Sequence, residues 1–334
     1  MSDGKQGKWA STLIAIGTTL ALAACGGGGG GGSSAGLPPP PVIGSSATAT
    51  APSRSGKALM VYIPNGSKVS VTDTSAASGT GIVVNQSFTS GVGGTASTTA
   101  SASFATPLTG GTTVLGTGVA DRMTSAAATD PVQGYTTPNG ANPGGLIMAS
   151  RIANASGTAI LQDTTYGVAA VLPGSGTMAI GGFHAGNLTP VGPLPVTATY
   201  NGQFGGYAME NGSSIAGVGP TFIHGDSNLT ADFGSGTVNG TVSKIQGGNI
   251  VSTTQPYGLS FNGNIAGNTY TGTAAFTNPT GAAPPAPTSS ALNGAFYGAN
   301  AAETGGAIRI DGLAPTGAGT TSSTVVVGSF GAKK

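Results

Sequence analysis

Charge is what this sequence has least of. Asp, Glu, Lys and Arg make up 6% of its 334 residues, against about 25% in an ordinary globular chain. The basic residues are scattered without a run, so the chain has no electrostatic footprint for nucleic acid. There is one cysteine, Cys25, which excludes an internal disulfide and a thiolate-built zinc site. There are two histidines, His184 and His224, and neither has a second histidine or a thiol at metal-ligand spacing, so no metal site is expected. The single tryptophan, Trp9, falls in the first segment. No apolar run reaches the roughly 20 residues that a membrane-spanning helix needs. What the chain has in excess is glycine, 61 residues, well over twice the usual share of about 7%. With few helix formers and many Thr, Ser and Val, short strands and turns are favoured over helices.

The amino end sets the compartment. Lys5 and Lys8 form a basic start, Leu13 to Ala24 an apolar stretch, and Leu22-Ala23-Ala24-Cys25 a small-residue cleavage box. This is the pattern of a secretory signal, and the cysteine directly after the box matches the bacterial lipobox, in which the Cys25 thiol is acylated. The competing reading is an ordinary signal followed by a buried cysteine. Seven glycines follow Cys25 directly, and they offer no packed environment in which to bury it. Gly26 in the next position does not indicate inner-membrane retention, so the outer membrane is the expected destination. Anchoring by more than one acyl chain is durable. Loss of residues 1–24 would remove Lys5, Lys8 and Asp3, leaving nine basic and nine acidic residues and a nearly neutral body.

Residues 25–56 read as a tether: a glycine run, then Pro38 to Pro41 and a Ser/Ala/Thr tract, flexible at first and then an extended polyproline spacer. No strand precedes the glycines and no lysine follows at phosphate-loop spacing. Residues 57–190 form a first folded region. Strands are expected at Leu59 to Ile63, Val69 to Val71, Gly81 to Val84, Leu146 to Ile152, Ala159 to Leu161, Tyr166 to Leu172 and Met178 to Gly181. Long Gly/Thr/Asn/Pro loops separate them, notably Thr124 to Gly145.

Residues 191–334 are patterned more sharply. Apolar-Asn-Gly-X-apolar occurs four times, from Tyr200, Val238, Phe261 and Leu292. Asn-Gly ordinarily signals a two-residue hairpin turn. Here the apolar residues at i and i+4, with glycine at i+2, put all three on one face of a continuing strand. Turns are expected instead at Gly234-Ser235-Gly236 and Ala266-Gly267-Asn268. The resulting strands are Val196 to Ala208, Ser227 to Phe233, Thr237 to Lys244, Gly258 to Ile265, Thr269 to Phe276, Ala291 to Tyr297, Thr304 to Ile310 and Thr324 to Phe330. Eight antiparallel strands can close into a barrel whose interior side chains fill. The inward set is Tyr200, Phe204, Leu229, Phe233, Val238, Val242, Leu259, Phe261, Ile265, Tyr270, Phe276, Leu292, Phe296, Ile308, Ile310, Val326 and Phe330. The other face carries Thr, Ser and Asn, unlike the apolar band of a membrane barrel. The fold class is thus all-β, an irregular β domain followed by an eight-stranded antiparallel soluble β-barrel.

Within that barrel, Phe296 to Gly306, FYGANAAETGG, and the terminal FGAKK of Phe330 to Lys334 resemble the C-terminal barrel of transferrin-binding-protein-B-type surface lipoproteins. Ala299 departs from the proline usual there. The resemblance implies a single lobe in which a "handle" β domain, here residues 57–190, precedes the barrel. It implies non-catalytic capture at the cell surface, with a TonB-dependent receptor and a host or environmental protein carrying iron or haem as partners.

Catalytic residues are not apparent. His224 and Asp226 lack a framed nucleophile. His224, with Met209 or Tyr207 nearby, is of interest only as a haem axial ligand, the bland alternative being a turn histidine at the barrel rim. His184 reads as a contact where handle passes into barrel. Glu303 is expected to cap local backbone N–H groups or pair with a cation, Asp232 to face outward, Asp311 to follow a strand, and Lys333 and Lys334 to form a solvated tail. The expected function is that of an outer-membrane-anchored binding lipoprotein for iron or haem acquisition. The rival is a structural, adhesive or host-factor-binding surface protein.

Overall fold

The computed structural model describes residues 47–50, 54–63, 80–90, 96–106, 111–119, 132–136, 146–150, 161–171, 178–190, 192, 194–210, 220–247, 253–254, 257–279, 281–317 and 320–334. They form two antiparallel sheets. The first contains β1 (Ala47–Thr50), β2 (Arg54–Ile63), β3 (Thr80–Ser90), β4 (Ala96–Thr106), β5 (Gly111–Val119), β6 (Val132–Thr136), β7 (Leu146–Ser150), β8 (Thr164–Val171) and β9 (Met178–Gly186). Its order is β5-β4-β3-β2-β9-β8-β7-β6, with β1 continuing the line of β2 along β3. The first and last long strands of the region, β2 and β9, therefore pair at its centre.

The second sheet contains β10 (Thr197–Glu210), β11 (Thr221–Asp232), β12 (Thr237–Gly247), the two-residue β13 (Thr253–Thr254), β14 (Gly258–Ala266), β15 (Thr269–Thr277), β16 (Ser289–Tyr297), β17 (Glu303–Gly317) and β18 (Thr320–Lys333). Each long strand pairs with the next, and β18 returns to β10 with Phe330 opposite Phe204. An eight-stranded antiparallel barrel is thereby closed. Closure leaves no edge along which another chain could pair.

The barrel interior is packed. Every member of the expected inward set lies in one core cluster, with only Phe233 and Ile265 partly exposed. All four Asn-Gly pairs lie inside strands, and the turns fall at 233–236 and 267–268. The glycines there make room for rings. A Cβ on Gly294 would come 2.1 Å from the Tyr270 ring, and one on Gly240 would come 2.2 Å from the Phe261 ring. The interior tyrosines also find partners, as buried hydroxyls must: Tyr200 donates to the Ala301 carbonyl at 2.8 Å, and Tyr270 meets Thr304 Oγ1 at 2.9 Å.

Several expectations are corrected. β4, β5 and β6 arise in stretches read as loops, β6 within Thr124 to Gly145. β4 alternates alanine with Thr and Ser, which suits a pleated surface but gives no apolar period. Leu161 stands just before β8 rather than in a strand, while Val69 to Val71 lie outside the described residues. β17 runs on to Gly317, so Asp311 is a strand residue paired with Val325. Lys333 is likewise a paired residue of β18. Lys334 donates to the Asn300 carbonyl and lies 5.9 Å over the Tyr200 ring, so the carboxy end is no loose tail.

The polar exterior holds only on one side. Along β12, outward Asn239, Thr241 and Ser243 are exposed between buried Val238 and Val242. Along β16 to β18, by contrast, both faces are buried from Ala291 to Gly298, from Glu303 to Ile310 and from Val325 to Ala332. The first sheet lies over that flank.

Candidate binding surface

The flank covered by the first sheet is built on the Tyr297 to Gly306 stretch. Gly298 has φ +72, and a Cβ there would come 2.4 Å from the Asp163 carboxylate. The chain reverses over Ala299–Ala301, and this reversal turns Glu303 toward the first sheet. Glu303 is buried, and its carboxylate accepts the backbone N–H groups of Gln162 (2.7 Å), Asp163 (3.0 Å) and Thr164 (2.8 Å). The expected capping role is real but not local: the donors belong to the segment entering β8. Arg54 is buried beside this carboxylate, donating to Thr165 Oγ1 and the Gln162 carbonyl. Burial lowers the Arg54 pKa, and the charges of Glu303 and Asp163 oppose that shift.

One register step along lies His184, fully buried on β9. Its Nδ1 is 2.6 Å from the Tyr297 hydroxyl and its Nε2 is 2.9 Å from Asn293 Oδ1. With Oδ1 an acceptor, Nε2 carries the proton and Nδ1 accepts from Tyr297. Desolvation lowers the His184 pKa to about 4, the Asn293 hydrogen bond opposing and Lys57 reinforcing it. His184 is thus a neutral residue at the contact between the first sheet and the barrel. Further along, Ser329 donates to the Gly167 carbonyl at 2.6 Å. A Cβ on Gly182 would come 1.9 Å from the Gly328 carbonyl oxygen, so two backbones touch there.

This junction fixes direction. Arg54, Gly186 and the 298–302 turn lie at one end of the barrel, here called the lower end, and β1 extends beyond it. The chain enters the body from below. The lower connections, 233–236, 267–268 and 298–302, span two to five residues. At the upper end, 211–220 and 278–288 span ten and eleven, 248–257 spans ten including β13, and 318–319 alone is short. Long connections on a rigid scaffold are where binding residues concentrate.

Tyr207, Met209 and His224 all lie in the upper half of β10 and β11, on the outward face. Tyr207 and Met209 are buried, and burial raises the Tyr207 pKa. His224 is exposed. Phe222, which the sequence did not single out, joins two of them. It meets Tyr207 edge-on at 5.8 Å and stacks on His224 at 6.2 Å. Just past His224 the ladder to β12 shifts register: two steps along β11, His224 to Asp226, match three along β12, Gln246 to Ser243, so the extra residue of the bulge lies on β12. Met209 is not brought to His224. His224 pairs with Gly205, four residues away along β10, which is ~14 Å at the rise of an antiparallel strand. Asp226 is engaged elsewhere, by Lys244 at 2.9 Å and Gln203 at 3.0 Å. Cys25 lies outside the described residues.

The upper half therefore carries an aromatic strip, Tyr207–Phe222–His224, running from buried to exposed beside the long connections. Only alternation marks it in the sequence. Phe222, two residues before His224, must share its face.

Comparison with known proteins bears on the same barrel. Residues 193–334 match the family model described as the C-lobe and N-lobe beta barrels of Tf-binding protein B. Among solved structures, the chain is 12% identical to a variant of transferrin binding protein B from Haemophilus parasuis Hp5 (87% of this chain and 76% of that one covered, TM-score 0.37). It is 14% identical to the isotype 1 transferrin binding protein B of serogroup B Neisseria meningitidis (86% and 76% covered, TM-score 0.31). It is 20% identical to a surface lipoprotein (52% and 76% covered, TM-score 0.29). No curated protein matches the chain.

Proposed function

We propose that this chain, whose carboxy-terminal barrel is of the transferrin-binding-protein-B type, is a lipid-anchored binding protein of the outer membrane that faces the cell surface. It captures an iron- or haem-bearing carrier without catalysis and passes the cargo to a TonB-dependent receptor. Cys25, acylated, is the anchor.

The observation that carries this reading is the filled barrel of matching type. Tyr200, Phe204, Phe261, Tyr270, Phe296 and Phe330 occupy its interior, which leaves no seat for a small ligand of the kind that larger or emptier barrels enclose. What such a barrel holds is held outside, on loops and an exterior strip, and that suits a macromolecular carrier better than free haem. The exposed end of the Tyr207–Phe222–His224 strip supplies the aromatic anchor that interfaces favour.

The test is capture by the purified acylated chain of iron-loaded and haem-loaded carrier proteins, with free haem as a separate arm read by absorbance. The expected result is capture of a carrier that weakens at least several-fold in F222A and H224A, with no haem spectrum. Capture that ignores both substitutions would move the site off the strip, and capture of no carrier would end the acquisition reading. Protease treatment of intact cells, followed by immunoblotting, tests the outward orientation. The nearly charge-free composition favours one second reading, a structural, adhesive or host-factor-binding coat. That reading expects expression unchanged by iron starvation.

A further inference from the structure

Two of the large apolar side chains most exposed among the described residues, Leu188 at 49% and Val196 at 74%, stand on the same end of the barrel. They belong to the segment joining the two sheets, which runs across the lower opening. Asn187 bonds to Gly298, Leu188 bridges to Tyr297, Thr189 bonds to Phe296 and to Asn268, and Val196 accepts from Phe233 and Gly234. Between this strap and the two short turns lies a shallow cleft of about 370 Å³, lined by Leu194, Pro195, Phe233 and Ile265 among others. The strap covers the core of the barrel but turns its own aliphatic side chains outward. Few charges are available to offset that exposure, and together with the apolar side chains of the cleft it gathers apolar surface at one end, which marks an interaction site.

We propose that this lower end is a lipid-docking face, resting on the headgroup layer of the membrane that holds the protein. The inference builds on the anchor reading above, and its occupant follows from where the chain enters. β1 begins below the barrel and runs upward towards β2, so a chain anchored at Cys25 turns the end carrying Leu188 and Val196 to the bilayer. Val196 and Leu188 are the inserting groups, with Leu194 and Pro195 behind them. Lys333 and Lys334 stand beside the face, and two carboxylates share that end: Asp163, against Gly298, and Asp232, the last residue of β11, which accepts from Ser235 N–H at 2.9 Å. The charges offset, so docking depends on aliphatic contact and changes little with salt. A docked lower end also holds the upper rim, with its long connections, away from the bilayer.

The mature chain lacks tryptophan once residues 1–24 are removed, which makes a clean reporter available. The purified chain carrying V196W, with Cys25 acylation established by mass spectrometry, is placed in phosphatidylcholine vesicles containing brominated lipid. L313W at the upper end, where Leu313 is 39% exposed, serves as the control. The expected result is blue-shifted, strongly quenched emission from V196W and unquenched emission from L313W, both unchanged by added salt. Equal quenching at the two positions in the acylated protein overturns the docking face and leaves the anchor intact. If Cys25 is unmodified, flotation with vesicles that is lost in L188D/V196D supports the face without the anchor. Absence of flotation overturns both.

Discussion

Strands β12, β14 and β15 and strands β16, β17 and β18 share one barrel and one inward pattern, yet their outward faces have opposite fates. On the first flank the outward residues are Asn239, Thr241, Asn262, Asn264, Thr271 and Thr273, and all are exposed. On the second they are Ala291, Asn293, Ala295, Tyr297, Glu303, Ala307, Arg309 and Ser329, and all are buried. Small residues let the first sheet approach, and Leu59 packs against Ala291 and Ala307. The polar groups among them are then desolvated, and Asn293, Tyr297, Glu303 and Ser329 find partners across the junction. The difference teaches that the second flank specifies a docking partner and the first specifies only water. It also explains why the FYGANAAETGG stretch is dense in chemistry with no reaction in view. Its Tyr297 and Glu303 join two sheets.

The contrast can be broken most severely at Glu303. In E303A three backbone N–H groups, that of Thr164 buried, lose their acceptor and the buried Arg54 loses a counter-charge, a change that costs about 3–5 kcal/mol for a buried charged group. The drop should appear in the urea midpoint, and a change no larger than that of S329A would show that the junction does not depend on this carboxylate.

Next comes pH. The folded His184 pKa is about 4 and its ordinary value is 6.5, so the unfolded chain takes up the proton first as pH falls. Stability is fully present above about 6.5, declines as pH drops towards about 4, and by linkage loses roughly 3 kcal/mol over that window. The H184F variant should flatten this slope between those values. An unchanged slope would assign it to other groups.

S329A removes one donor from the Gly167 carbonyl and should cost about 1 kcal/mol. On the open flank, K244A removes the exposed partner of Asp226 and should leave the unfolding midpoint where it was, since exposed ion pairs contribute little. A clear loss in K244A would erase the distinction between the flanks.

The barrel was legible because its information is local. Alternation at Tyr200, Gly202 and Phe204, repeated at three further Asn-Gly sites, reports strand and face without knowledge of neighbours, and glycine at an inward position reports a ring opposite. The first sheet was half legible. β2, β8 and β9 carry apolar side chains that announce them, while β4 and β5, rich in Thr, Ser, Ala and Gly, look like linker until they pair. The upper strip was named in part, through Tyr207, Met209 and His224. Phe222 completes two of these and Met209 stands apart, because stacking depends on cross-strand register.

Sequence alone settled the class of fold, the closed barrel and the inward set, since a period of two and a count of eight strands leave few other ways to bury those rings. It also carried the carboxy-terminal motif. Only the tertiary structure decided that Glu303 reaches a segment some 140 residues earlier, that His184 sits neutral between Tyr297 and Asn293, and that one flank is dry. Each of those depends on which surface meets which, and a residue's desolvation is set by neighbours that the chain delivers from far away.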